Sequence, residues 1–178
     1  LVLGELGKSY DQGAKYDAAL QSFDRALRRY RELEKAADAA RQLRRMGALM
    51  LRRRNRAHRA REYFERALKL FTEQDDQEGI VRTTIDIGLC LRHIGDFPAA
   101  LERFRQAEEK CESRIESAGK DLRVYRELLA RALAEVANTR WFEGKYQDAF
   151  RLIQRSNDLA RRADDHFQLN VNQQLLGL

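Results

Sequence analysis

Apolar residues recur along most of this chain at intervals of three and four. Leu20, Phe23, Ala26 and Leu27 fall on one helical face, and Leu101, Phe104 and Ala107 repeat the arrangement later. No stretch of useful length alternates apolar with polar positions, so strands are not expected. The pattern and its interruptions predict nine helices, over roughly 1–12, 15–33, 36–53, 57–73, 77–93, 97–117, 121–142, 146–162 and 166–177.

These helical faces are copies of one another. Ala19, Ala60, Ala100 and Ala149 lie 41, 40 and 49 residues apart, and each is followed four residues on by a large apolar side chain: Phe23, Phe64, Phe104 and Ile153. Small residues precede them at Gly7, Ala48, Gly88 and Ala137, where a larger side chain would hold neighbouring backbones apart. A period in this range marks stacked units, none of which buries its apolar face alone. The longest spacing contains Ser117-Ala118-Gly119-Lys120-Asp121, an interruption that should lengthen both flanking helices by about a turn.

The repeated phrase, Gly-x-x-Tyr at Gly7 and Tyr10 followed by Tyr16, Ala19, Phe23 and Ala26, resembles the tetratricopeptide repeat. Its third copy is best kept, as Gly95-Asp96-Phe97-Pro98-Ala99-Ala100-Leu101. The fourth keeps the same turn, as Gly144-Lys145-Tyr146-Gln147-Asp148-Ala149. The second replaces that turn with Arg54-Asn55-Arg56-Ala57, where Asn tolerates the left-handed backbone. Two further departures are Arg140, where Tyr or Leu is expected, and Ser156, where Ala is expected. The resemblance implies an all-α, right-handed superhelical solenoid of antiparallel helix pairs. It would be a single repeat domain over 1–178, with repeats at 1–34, 35–75, 76–118 and 121–163 and the start of a fifth at 165–178. Because Leu175-Leu176-Gly177-Leu178 begins another copy where a polar cap is normal, the expectation is a fragment of a longer protein.

Composition narrows the chemistry. Charged residues make up 35% of the 178 positions and the formal net charge is +6, which suits exposed helices. No apolar run is long enough to cross a bilayer and no signal-like segment is present, so no membrane partner is expected. Cys90 and Cys111 read as small buried residues in a reducing compartment, which points to the cytoplasm. His58, His93 and His166 have no partner at metal-ligand spacing, and no glycine loop is built to cradle phosphate. The pairs Asp75-Asp76 and Asp164-Asp165 stand at equivalent inter-repeat corners, where Asp caps the next helix. No enzyme and no cofactor is expected.

In the family resembled, the first helix of each repeat lines a concave inner surface. Transferred copy by copy, that register selects Lys8, Asp11 and Gln12; Gln42, Arg45, Leu49, Arg52 and Arg53; Arg82, Ile85, Leu89, Arg92 and His93; and Arg131, Ala134, Asn138, Trp141 and Phe142. One acid stands there against seven Lys or Arg, so the implied partner is an acidic or phosphorylated peptide. The expected contacts are Lys8, Arg45, Arg52, Arg53, Arg82, Arg92, His93 and Arg131, with Asn138 bonding the ligand backbone. Trp141 is either an anchor or core. The family's carboxylate clamp is not kept, since Gly4 and Lys8 stand at its lysine and asparagine positions. Two rival readings stay open. One is a regulatory or sensor domain of a signal-transduction ATPase, protease or transcription regulator, clasping another part of its own polypeptide. The other is a nucleic-acid scaffold, suggested by Arg41, Arg44, Arg45, Arg52, Arg53, Arg54, Arg56, Arg59 and Arg61, which have no acid among them.

Overall fold

The computed structural model describes residues 16–52, 56–117 and 122–176. Their regular structure is helical throughout: α1 (Tyr16–Glu32), α2 (Ala36–Leu51), α3 (Ala57–Glu73), α4 (Gln77–Ile94), α5 (Phe97–Glu116), α6 (Leu122–Phe142), α7 (Tyr146–Ala163) and α8 (His166–Leu176). These follow the predicted ranges to within two residues at each end. The helix expected over 1–12 lies outside the described residues, as do Gly13 and Asn55 of the predicted turns. On either side of the interruption, α5 and α6 run to 20 and 21 residues, against 16 to 18 for α1 to α4 and α7. The added turn falls where the sequence spacing placed it. The chain forms two compact units, one ending at Ile94 and the other beginning at Gly95.

In the first unit α2 packs against α1 and α3, and α3 against α4. The repeated alanines Ala19 and Ala60 are sealed off from solvent, and Phe23, Phe64 and Phe71 fill the space beside them. Burying each such ring contributes roughly 1.5–3 kcal/mol. The tightest approach is made by Gly47, one residue before the position expected from the repeat: a Cβ there would sit 2.8 Å from the Phe64 ring. Gly79 is tighter still, its missing Cβ falling 2.4 Å from the Phe71 ring. Nothing in the repeated phrase singles out Gly79.

In the second unit α6 packs against α5 and α7, and α8 against α7. Ala134, Ala137, Ala149 and Ile153 form its core cluster, flanked by Leu152 and Leu175. Ser156, which broke the repeat pattern, is fully buried and hydrogen-bonded. Its hydroxyl donates to the Ala130 carbonyl at 2.7 Å and accepts from the Asn172 amide at 2.9 Å. Asn172 donates also to Asn157 Oδ1 (2.8 Å) and accepts from Gln168 Nε2 (2.7 Å). A polar network therefore joins α6, α7 and α8 where the family pattern would place a methyl group.

The turns are of two kinds. Within helix pairs, Gly95 and Gly144 take φ of 93° and 76°, a conformation that an L side chain resists. Between pairs the left-handed residue is Glu34, Asp75 or Asp164, with φ of 52° to 56°. The following N–H at Lys35, Asp76 and Asp165 reaches back to the carbonyls of Tyr30, Phe71 and Ala160 at 2.9 Å, closing a Schellman turn. Asp76 and Asp165 then cap α4 and α8, accepting from Gly79 N (2.8 Å) and Gln168 N (3.0 Å). The doubled Asp is thus one left-handed residue and one cap.

Candidate binding surfaces

The predicted residues divide between the two units. In the first, α2 presents Arg41, Arg44 and Arg45, spaced three and four apart on one face, and α4 presents Arg82. Between them lies a cavity of about 240 Å³, with Phe71, Asp76, Glu78 and Gly79 completing its lining. Arg45 donates to Gln42 Oε1 at 3.2 Å, and Arg82 Nε donates to Glu78 Oε1 at 2.6 Å. Arg44 Nε meets Asp86 at 2.6 Å, a carboxylate only 6% exposed, which ties α2 to α4. Arg41 pairs with Asp38 at 2.9 Å on the rim. The repeat register had selected Arg45 and Arg82 but not Arg41 or Arg44. The three-and-four spacing on α2 is the signal that would have found them.

Several residues of the transferred register do not line a surface. Gln42, Leu49 and Ile85 are buried in the first unit and Ala134 in the second, because helix packing takes up that side of each helix. Arg52 is exposed at the end of α2, where its N–H bonds the Ala48 carbonyl at 3.3 Å. Arg92 and His93 occupy the last turn of α4, a position that favours positive charge. Partial burial and the neighbouring Arg92 guanidinium hold the His93 imidazole below its ordinary pKa. Lys8 and Arg53 lie outside the described residues.

The arginine run between Asp38 and Glu62 is engaged within the chain at several points. Besides the pairs made by Arg41 and Arg44, Arg61 meets Glu65 at 2.9 Å, and Arg56 lies 5.5 Å over the Tyr16 ring. Arg59 and His58 are exposed, and Arg54, like Arg53, is outside the described residues. Cys90 lies fully buried in α4. Burial pushes its thiol up to about 12, with the Asp86 charge adding to the shift and Arg61 opposing it, so the reactive thiolate is suppressed. Among the described residues no group of three or more His, Cys, Asp or Glu side chains gathers to hold a metal ion, and no helix is long and apolar enough to cross a membrane.

In the second unit α6 carries Arg131, half-buried, and further on Asn138 and Trp141. Asn138, Trp141, Phe142, Phe150 and Leu175 line a hollow of about 220 Å³ with Ile153 among its walls. Trp141 is 48% exposed and meets Tyr146 edge-on at 4.7 Å, so it is no core residue. Phe142, 65% exposed, stacks on Phe97 at 6.5 Å. Arg140 turns instead to Glu143 (2.7 Å), which Lys145 also reaches (3.0 Å), and these contacts hold the Glu143 carboxyl below the usual range. Phe150 was not expected at a surface, since the repeat register was applied only to first helices, and the register was not extended to Leu175 in the fifth copy.

Residues 38–113, from the first turn of α2 to near the end of α5, match the family model of the tetratricopeptide repeat. That stretch carries tetratricopeptide repeats. No curated protein sequence matches it. Solved structures of similar fold include a Rap protein complexed with Competence and Sporulation Factor, with a TM-score of 0.79 and 16% identity over 96% of this chain and 45% of that one. The apo form of RapI gives 0.75 and 19%, over 92% of this chain and 56% of RapI. BtubC from P. vanneervenii gives 0.72 and 15%, over 93% and 64%. The likeness at these identities is one of fold, and the present chain spans less than two thirds of each. Helical repeats of this type are protein-interaction scaffolds.

Proposed function

We propose that this chain is a protein-interaction module whose first unit holds an acidic segment of a partner against the arginines of α2 and α4. The observation that carries this reading is the cavity itself: four guanidinium groups on two neighbouring first helices line a space of about 240 Å³. Guanidinium forks match carboxylate geometry and bond it in pairs, which a Lys would not. Arg45 and Arg82 are the central contacts, with Arg52 and Arg92 as further cations and His93, whose lowered pKa leaves it neutral near pH 7, as a hydrogen-bonding group; the repeat register adds Lys8 and Arg53 to the set. In the second unit Arg131 and Asn138 would meet the partner's backbone and acids, and the exposed face of Trp141 would take an apolar side chain. The Rap structure solved with Competence and Sporulation Factor supports the idea that repeats of this fold hold a partner.

The test is a fluorescence-anisotropy panel of equal-length acidic, neutral and basic peptides, run beside the Arg45→Glu/Arg82→Glu variant. Acidic peptides should bind the parent chain best. Removing two charge-assisted contacts should weaken them by about 10- to 100-fold, with helicity unchanged by circular dichroism. Equal binding of the basic and acidic sets would refute the reading. Capture of duplex or single-stranded nucleic acid, with a steep fall in affinity as salt rises, would replace it with the nucleic-acid scaffold.

A further inference from the structure

We propose that Glu78 competes with a ligand's carboxylate for Arg82 and sets how strongly an acid must bind to enter. The inference rests on the acidic-segment reading above and adds the residue that governs its selectivity. Four acids stand close to the cavity's arginines, and three of them are committed elsewhere. Asp86 is buried against Arg44 and cannot leave without stranding a charge in the interior. Asp76 accepts the Gly79 N–H at the start of α4. Asp38 engages Arg41 from the rim and does not line the space.

Glu78 differs in each respect. It lines the cavity, its side chain is 47% exposed, and it meets Arg82 by a single Nε–Oε1 contact of 2.6 Å rather than a two-point fork. The pair is an exposed contact one helical turn apart, the weakest class of ion pair. Glu78 also sits in the first turn of α4, where the helix N-terminus favours its negative charge even after Arg82 lets go. An incoming carboxylate that can form a fork with Arg82 therefore exchanges for one held by less. A neutral side chain offers nothing in exchange and leaves the internal pair closed. Glu78 thus acts as a specificity-determining competitor.

The test uses a fluorescein-labelled, N-acetylated hexaglutamate at low salt, titrated with the parent chain, Glu78→Gln and Glu62→Gln. The last variant removes the same charge from an exposed position on α3 outside the cavity. Glu78→Gln should tighten binding about two- to five-fold beyond any gain shown by Glu62→Gln. Adding Arg82→Gln should abolish that gain. If the parent binds the probe and Glu78→Gln gains no more than Glu62→Gln, the competitor role is overturned while the acidic-segment reading stands. If no variant binds the probe, both fall together.

Discussion

Asn172 offers a sharp test of how the second unit is held together. It is fully buried on α8, an 11-residue helix too short to persist without docking. Replacing it with Ala removes three hydrogen bonds at once. Ser156 keeps its bond to Ala130, and the half-buried Asn157 can turn to water, but the Gln168 amide is left buried with no acceptor. That stranded donor costs about 1–3 kcal/mol, and the two lost bonds add about 1 kcal/mol each. A total near 4 kcal/mol, with an m-value of about 1–2 kcal/mol/M, lowers the urea midpoint by about 2–4 M. Trp141, the single tryptophan, lies in the same unit, so its fluorescence follows this transition. The triple variant Ser156→Ala/Gln168→Leu/Asn172→Leu should unfold near the parent midpoint, since it leaves no polar group stranded. The reasoning is refuted if Asn172→Ala loses under about 1 kcal/mol, or if the triple variant is no better than the single one.

Three other outcomes are expected. Gly79→Ala should be destabilising by up to about 2 kcal/mol in chemical unfolding, because overpacking the Phe71 ring outweighs the roughly 1 kcal/mol that Ala gains in a helix; a raised midpoint would mean the ring yields freely. Asp164→Gly, at a left-handed corner, should stabilise by about 1 kcal/mol, read as a higher urea midpoint in the tryptophan signal. The lowered His93 pKa makes the unfolded chain bind its proton first, so stability is full above about pH 6.5 and falls as pH drops toward the folded value, below which the loss is complete. His93→Gln should flatten that part of the stability profile, and an unchanged slope would remove His93 from it.

The helices were legible because each rests on a local signal. Apolar spacing gave their faces, Gly95 and Gly144 their turns, and the paired aspartates their corners. The binding surfaces were read less well, for a physical reason. A family register names the side of a helix, but packing decides how much of that side remains open, and Gln42, Leu49 and Ile85 were taken into the interior. Arg44 was seen only as one charge in a run, because its partner Asp86 is 42 residues away on another helix. Ser156 looked like wear in the pattern, since Asn172, which explains it, lies in the next repeat. Such long-range polar pairings leave no periodic trace.

The internal pairing of the α2 and α4 arginines bears on how the chain would respond to ionic strength. A cation already neutralised by its own carboxylate gathers few mobile anions from solution. When a ligand takes over that cation, it frees a side chain rather than a cloud of ions. The salt slope of binding would then count only the positive charge left over after internal pairing. A shallow slope beside a strong preference for acids would be the mark of a surface that trades one carboxylate for another.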